Sequence, residues 1–454
     1  MLRTPRRLRL ATVATIVAAA AALPLALASA ASAAPTTTAP TTTASAATVP
    51  APPQTAFEAS NGANWTTEAE ETAFLQQVDR ATRRVSISQV GTTLQGRPLR
   101  LVQIGYPAPP SAVRAARGSV VLFTCSQHGD EPAGREGCLA QIRDLAFSTD
   151  RAVIRMLTRT TVLFIPTANP DGRVADTRGN AAGVDINRDH VALATPEGRA
   201  HAQVIRDWQP DVVHDAHEFG ADPPVYDRDT LWLWPRNLNT AASVHDLSVS
   251  LSKEHQRPAL AAAGFTSGEY GIHVDPVTGQ PIRQIAGDEQ ERILRNTAGL
   301  KNALGLLLET RVDALTPAQL ADPALNNRRR VETHRVAIRT TLRMVQERYV
   351  AIAVATAVAR AQASAGIRPV FFLGADNQPP APDQVDTAPP CAYRLDPAQF
   401  AQVQQTLALH GVQSRPAADG ARLVPRAQPL GRLVPLLLDA RASFHLVAAT
   451  PVTC

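Results

Sequence analysis

Four apolar runs of this chain each end in residues of metal-binding or acid/base chemistry: VVLFTCSQHGDEP (120–132), TTVLFIPTANPDG (160–172), DVVHDAHEFG (211–220) and ALGLLLETR (303–311). Short β-branched and aliphatic runs of this kind read as buried parallel strands, and open α/β sheets place their ligands beyond the carboxyl ends of such strands. His128, Glu131, Asn169, His217 and Glu309 all stand at those ends. One such ending has little meaning, but four that carry two His, two Glu and an Asn are hard to produce by packing alone.

Between and around the runs, the chain alternates strand and helix signals. A helical stretch is expected over 66–82. VSISQV (85–90) and LRLVQIG (99–105), separated by GTTLQGRP, form a hairpin. Alternation continues to Glu309 and predicts an α/β fold, a mixed, mainly parallel sheet with helices on both faces. A long helix-compatible stretch covers 329–363, with apolar positions that suit a core.

The 454 residues exceed what one core needs. Arg3, Arg6, Arg7 and Arg9 precede an apolar, Ala-dominated run from Ala11 to Ala28, followed by small-residue cleavage patterns, which reads as an export signal over 1–33; a single-pass anchor is the competing reading. An Ala/Thr/Pro-rich tether follows over 34–56, then a catalytic domain over 57–374. A Pro-rich linker over 375–386 leads to a small C-terminal domain over 387–454, whose role has no motif. The expected location is secreted or periplasmic, with no stable membrane insertion after removal of the signal.

The basic charge excess is a property of the leader: 45 basic residues less its four arginines leaves 41, against 40 acidic. A nearly neutral mature chain gives no case for nucleic acid or anionic membrane as partner. In an exported chain the four cysteines can form two disulfides. Cys391 with Cys454 is the preferred pair, whereas Cys125 and Cys138 either pair or stay buried thiols. No CxxC occurs, which argues against a thiolate metal site.

His128 and Glu131, three apart on a turn whose Gly129 and Pro132 suit a strand-to-helix connection, supply two metal ligands. The third is His214 or His217. His217 is preferred because it lies nearer the carboxyl edge, and alternation puts Asp215 on the same side to orient it. Two His and one Glu leave a fourth position open, as in catalytic zinc sites. Glu309, ending an apolar strand, suits a general base, with an ion pair to Arg311 as the bland alternative. The segment NPDGRVADTRGNAAGVDINRD (169–189) brings Arg173, Arg178 and Arg188 with Asn169, Asn180 and Asn187 to the same crevice and reads as an anion-recognition loop.

Taken together, GTTLQGRPL, HGDEPAG, NPDG, the NR pair of GVDINRD, the DxH of the third run and the ET of the fourth resemble the zinc carboxypeptidases typified by carboxypeptidase A, over roughly 57–363. The resemblance implies an eight-stranded mixed sheet and one zinc ion per chain held by His128, Glu131 and His217. It also implies Glu309 as general base, and Asn187 and Arg188 on the substrate's terminal carboxylate. Arg178 is then the candidate oxyanion stabiliser and Arg173 the runner-up. By position alone Tyr270 is the candidate for a substrate-capping tyrosine, and Asp130 stands where an Arg often assists binding in the family. The expected partner is a peptide with a free C-terminal carboxylate. An amidase or deacylase on the same scaffold and a non-catalytic peptide-binding module are the competing readings.

Overall fold

Strand 119–125 leads directly into the first pair of metal-type residues, and the rest of the fold is built around it. The computed structural model describes residues 51–366 and 369–454; the expected export signal over 1–33 and most of the expected tether over 34–56 lie outside the described residues. Ten strands come first in chain order: β1 (Val85–Thr92), β2 (Pro98–Ile104), β3 (Ser119–Cys125), β4 (Thr160–Ile165), β5 (Val212–Phe219), β6 (Thr230–Leu233), β7 (Ser267–Glu269), β8 (Ile272–Val274), β9 (Pro281–Gln284) and β10 (Leu304–Arg311). Eight of them form one sheet in the order β1-β2-β4-β3-β5-β10-β6-β7, and β8 and β9 make a separate hairpin.

The sheet is mixed, as expected. β4, β3, β5 and β10 run parallel at its centre, β6 pairs β7 in parallel, and β1/β2, β2/β4 and β10/β6 are antiparallel. The central strands are buried along their whole length, because helices cover both faces. One face holds Phe123, Cys125, Ala216, Leu306 and Leu308 against α2 (Pro132–Phe147) and α6 (Pro323–Glu347). The other holds Leu122, Leu163 and Val213 against α4 (Pro196–Trp208) and α5 (Leu294–Leu300). Before the sheet, α1 (Glu68–Ala81) starts at a capping box in which Thr67 accepts from Glu70 N–H and Glu70 reaches back to Thr67 N–H.

Two motifs of the sequence turn out to brace each other. Ser126, directly after β3, adopts φ 55, and this left-handed step turns the chain toward His128. Gly129 is needed for space rather than for φ: a Cβ there would stand 1.9 Å from the carbonyl carbon of Gly172, in the NPDG turn that opens α3 (Pro170–Ala175). Asp171 of that turn is buried and accepts from Thr93 Oγ1 at 2.8 Å, Gln95 N–H at 3.1 Å and Arg97 Nη1 at 2.7 Å. The β1–β2 hairpin is thereby tied to the strand end that carries the site.

The long helical stretch begins earlier than expected, at Pro323, which a first helical turn accommodates, and is interrupted at Arg348 (φ −108, ψ 20) before α7 (Tyr349–Ser364). Further along, β11 (Val370–Phe371) and β12 (Val385–Asp386) form a two-stranded ribbon. The C-terminal segment then forms a second sheet in the order β14-β15-β13-β16, from β13 (Ala392–Leu395), β14 (Arg415–Pro416), β15 (Arg422–Pro425) and β16 (Thr450–Val452), with α8 (Pro397–His410) packed on α4. Its apolar cluster takes in Val191 and Leu300 from the larger sheet's flank. Disulfides join Cys391 to Cys454 and Cys125 to Cys138; the second links β3 to α2 and resolves the choice between a bridge and two thiols. No described helix is long and apolar enough to cross a membrane.

Candidate metal centre

His128 lies on the turn after β3, Glu131 is the residue from which α2 springs, and His217 lies near the end of β5. All three are buried. His128 Nδ1 is 2.7 Å from Glu131 Oε1, His217 Nδ1 is 2.9 Å from Glu131 Oε2, and the two Nδ1 atoms are 3.1 Å apart. Although it caps α2, Glu131 makes no side-chain cap; Oε2 instead accepts from Glu218 N–H at 3.0 Å, which fixes the carboxylate toward the histidines.

The far side of each ring is also held. His128 Nε2 is 3.1 Å from Asp185 Oδ1, and His217 Nε2 is 2.9 Å from Asp215 Oδ2. Carboxylates in these places favour a proton on Nε2 and leave the Nδ1 lone pairs facing each other and Glu131. Such a convergence of lone pairs is stable only around positive charge, and the electrostatics agree. Burial works against a charge on His217, but Asp215 and Glu131 outweigh it and hold its pKa well above the ordinary imidazole value. Burial likewise opposes ionisation of Glu131, yet the His128 and His217 rings keep it well below the carboxylate range. The ligand atoms stand slightly closer together than the ~3.3 Å that two zinc bonds of about 2.0–2.1 Å subtend at a tetrahedral centre. Two imidazole nitrogens and a carboxylate oxygen within 4.8 Å of one another are donor types that zinc takes, and by that chemistry the set fits zinc.

The competing ligand His214 points to the opposite face. It is hydrogen-bonded through Nδ1 to Thr341 Oγ1 of α6 at 2.9 Å, and burial pushes its pKa down to about 3. Glu309 is the parallel-register partner of His217 and so shares its face. Arg311 pairs with Asp229 at 2.9 Å and not with Glu309, whose buried Oε2 has no hydrogen-bond partner among the described residues. Burial drives the Glu309 pKa well above the carboxylate range, with the charges of Glu131 and Asp215 adding to the shift while His217 and Arg178 oppose it.

Arg178 lies over the mouth of the cluster. Its Nη1 is 3.2 Å from His128 Nδ1 and 3.6 Å from Glu131 Oε1, while Nε and Nη2 donate to Asp185 Oδ2 at 3.2 and 2.9 Å. Half of its side chain remains exposed. Arg173 is occupied elsewhere, donating to Gly129 O and Asp176, each at 3.0 Å. Asn169 caps α3, and Asn180 accepts from Ala182 and Val184 N–H, so these two residues shape the loop and stand apart from the metal-type ligands.

Arg188 is half-buried, with Nη1 donating to Asn187 O at 2.9 Å. Asn187 itself is turned inward. Its Nδ2 lies 3.0 Å from His217 Nε2 and 3.3 Å from Asp215 Oδ2, and its Oδ1 accepts from Leu294 N–H. Sequence reasoning passed over Asp185 and Gln127, which donates to Asp215 Oδ1 at 2.7 Å. The nearness of one acid to one ligand ring is a fact of folding, and Asp185 is only one of several acids in its loop. At Tyr270, the Glu309 charge, followed by burial, pushes the phenol up to about 12.

Fold and side chains together define a class, an α/β protein with a buried His–Glu–His metal-type cluster at the carboxyl ends of central strands. More particularly, residues 71–221 match the family model described as zinc carboxypeptidase, in agreement over that span with the resemblance drawn from the motifs. That span contains His128, Glu131, His217, Arg178, Asn187 and Arg188; Glu309 lies beyond it. Carboxypeptidase 2 of Trichophyton tonsurans is 31% identical over 191 residues, 40% of this chain and 35% of that protein. Carboxypeptidase E of Caenorhabditis elegans is 29% identical over 123 residues, 24% and 25% of the two chains. The chain thus spans about a third or less of the length of these curated relatives. Among solved structures, a metallo-carboxypeptidase from Burkholderia cenocepacia aligns over 62% of this chain and 70% of its own, at 20% identity and a TM-score of 0.46.

Proposed function

We propose that this protein is an exported zinc metallocarboxypeptidase that hydrolyses the C-terminal peptide bond of peptides. The observation that carries the reading is the convergence of His128, Glu131 and His217 on one point beside a buried carboxylate, Glu309, that has an unpartnered oxygen. A structural metal site has no use for such a carboxylate, whereas a hydrolytic one needs it.

His128, Glu131 and His217 would hold one zinc ion, which when bound supplies Lewis acidity to the scissile carbonyl and to water. Glu309 takes a proton from the attacking water and delivers it to the leaving amine. Its place at the end of the strand beside His217, with one oxygen that no described residue bonds, suits both halves of that transfer. Arg178 presents an exposed guanidinium edge to the oxyanion that develops at the carbonyl, and Asp185 keeps that guanidinium in place. Arg188 pairs with the terminal carboxylate of the substrate, while Asn187 beneath it donates to Asp215, the carboxylate that faces His217. Export follows from the leader, and two disulfides accord with an oxidising compartment.

The test is elemental analysis for zinc, together with mass-spectrometric product analysis of a mixed peptide library bearing free and amidated C-termini. One zinc per chain and chelator-sensitive loss of single C-terminal residues from free acids are expected. Arg188→Ala should then lower kcat/KM on free acids at least about tenfold while sparing the amides. Zinc without any peptide cleavage would overturn the carboxypeptidase reading, and absence of zinc would overturn the site itself.

A further inference from the structure

Away from the metal-type cluster, a cavity of about 250 Å³ lies where the C-terminal ends of α4, α5 and α8 come together. Ile205 and Leu430 give it apolar wall, while Lys301, Arg206 and Arg360 bring positive charge, and among the described residues no Asp or Glu lines it. The chain holds two lysines among its 45 basic residues, and Lys301 is one of them.

The charges differ in how they are satisfied. Arg206 pairs with Asp207 at the rim at 2.7 Å, and its Nη1 reaches Ala408 O at 3.4 Å. Arg360 reaches Gln209 O at 3.5 Å and stands near Asp211, whose oxygens are already accepting from Val120 N–H and Thr356 Oγ1. His410 donates through Nε2 to Val191 O, and burial keeps it neutral, with a pKa of about 3. Lys301 is 8% exposed, and among the described residues its ammonium has neither a carboxylate within 4 Å nor a hydrogen-bond acceptor. Burial, followed by the charge of Arg206, pushes its pKa down to about 7.

Cations at helix C-termini need no ligand where the helix dipole satisfies them, and three such termini meet here. A helix end, however, carries only about half an elementary charge and is effective when the cation sits on the carbonyls. That accounts for Arg206 and Arg360. It leaves the ammonium of Lys301, a side chain largely withdrawn from water, with no carboxylate or hydrogen-bond acceptor among the described residues, so an anion entering the cavity would meet an uncompensated charge.

We propose that this cavity binds a small oxyanion, a carboxylate or phosphate on a short apolar stem, with Lys301 as its counter-charge. Arg360 adds a second donor at one end, and Ile205 and Leu430 pack the stem. Binding here would tie α8 of the C-terminal segment to α4 and α5.

The experiment uses the full mature chain labelled with carbon-13 and nitrogen-15 lysine, whose two lysines give two ε resonances. Butyrate and inorganic phosphate are titrated separately at constant ionic strength. The expected result is a saturable shift of the Lys301 signal while Lys253 stays still; a response to butyrate alone assigns a carboxylate ligand, and to phosphate alone a phosphate. Lys301→Met should weaken the same binding, followed by thermal shift, by about tenfold or more while raising the Tm of the anion-free protein. Should Lys301→Met fold poorly, Arg360→Gln, which keeps the lysine, is expected to weaken the response severalfold. A Lys301 signal unmoved by either anion, or an unchanged anion response in the variants, would overturn the proposal. No step relies on peptidase activity, so the outcome is independent of that reading.

Discussion

At the scale of single residues, the site is a contest between charge and burial. Glu309 is the sharpest case, because no described residue bonds to its Oε2 and a buried acid without a partner is costly. Glu309→Gln keeps the shape and removes the titrating group, so zinc content should be unchanged while kcat falls by roughly a thousandfold or more. Metal analysis and single-turnover kinetics on the same sample check both halves; activity within tenfold of wild type would remove Glu309 from the role of base. Asp215→Asn tests a different dependence. Asp215 stands 2.9 Å from His217 Nε2 and favours the proton there. The amide should weaken zinc affinity about 10–100-fold, measured by competition with a chromogenic chelator. His128, Glu131, His217 and Glu309 were legible in the sequence because each ends an apolar run. Asp185 and Gln127 were not, since they meet the ligands only through folding.

At the scale of elements, the strands were legible because burial on both faces leaves continuous apolar runs, and the β1–β2 hairpin because alternation and turn residues agree. The brace between that hairpin and the NPDG turn was hidden, for Asp171 in isolation reads as an ordinary turn acid, yet it accepts three hydrogen bonds from the hairpin loop. A similar brace joins β5 to α6. Glu218, next to the ligand His217, is buried and accepts from Arg330 Nε at 2.7 Å and from Ala133 N–H at 2.9 Å. Arg330 also stacks on Trp65. Removing one partner strands the other, so Arg330→Met should destabilise by about 3–5 kcal/mol. The double variant Arg330→Met with Glu218→Gln should recover part of that loss, because the uncompensated charge is then gone. Chemical denaturation of the four species measures the coupling; additive losses would mean that the ion pair contributes nothing beyond packing.

At the scale of the whole molecule, burial of neutral imidazoles couples folding to pH, and His410 offers the clearest reading because it lies away from the metal-type cluster. It joins α8 to the loop at Val191, across the contact between the C-terminal segment and the larger sheet's flank. Burial depresses its folded-state pKa to about 3, against 6.5 as the ordinary value. Below pH 6.5 the unfolded chain therefore takes up a proton that the folded chain refuses, and stability is lost as pH falls toward 3. Buried carboxylates with raised pKa, Asp211 among them, titrate in the opposite sense over part of that range, so the total slope is a mixture. The difference between two proteins isolates one group. His410→Gln can still donate to Val191 O but cannot titrate. Its unfolding free energy should fall less steeply than that of wild type, by about 1.4 kcal/mol per pH unit between roughly pH 6 and 4. Urea unfolding at a series of pH values gives this difference directly, and parallel curves would show that His410 is charged in the fold, which would require a counter-charge near Val191.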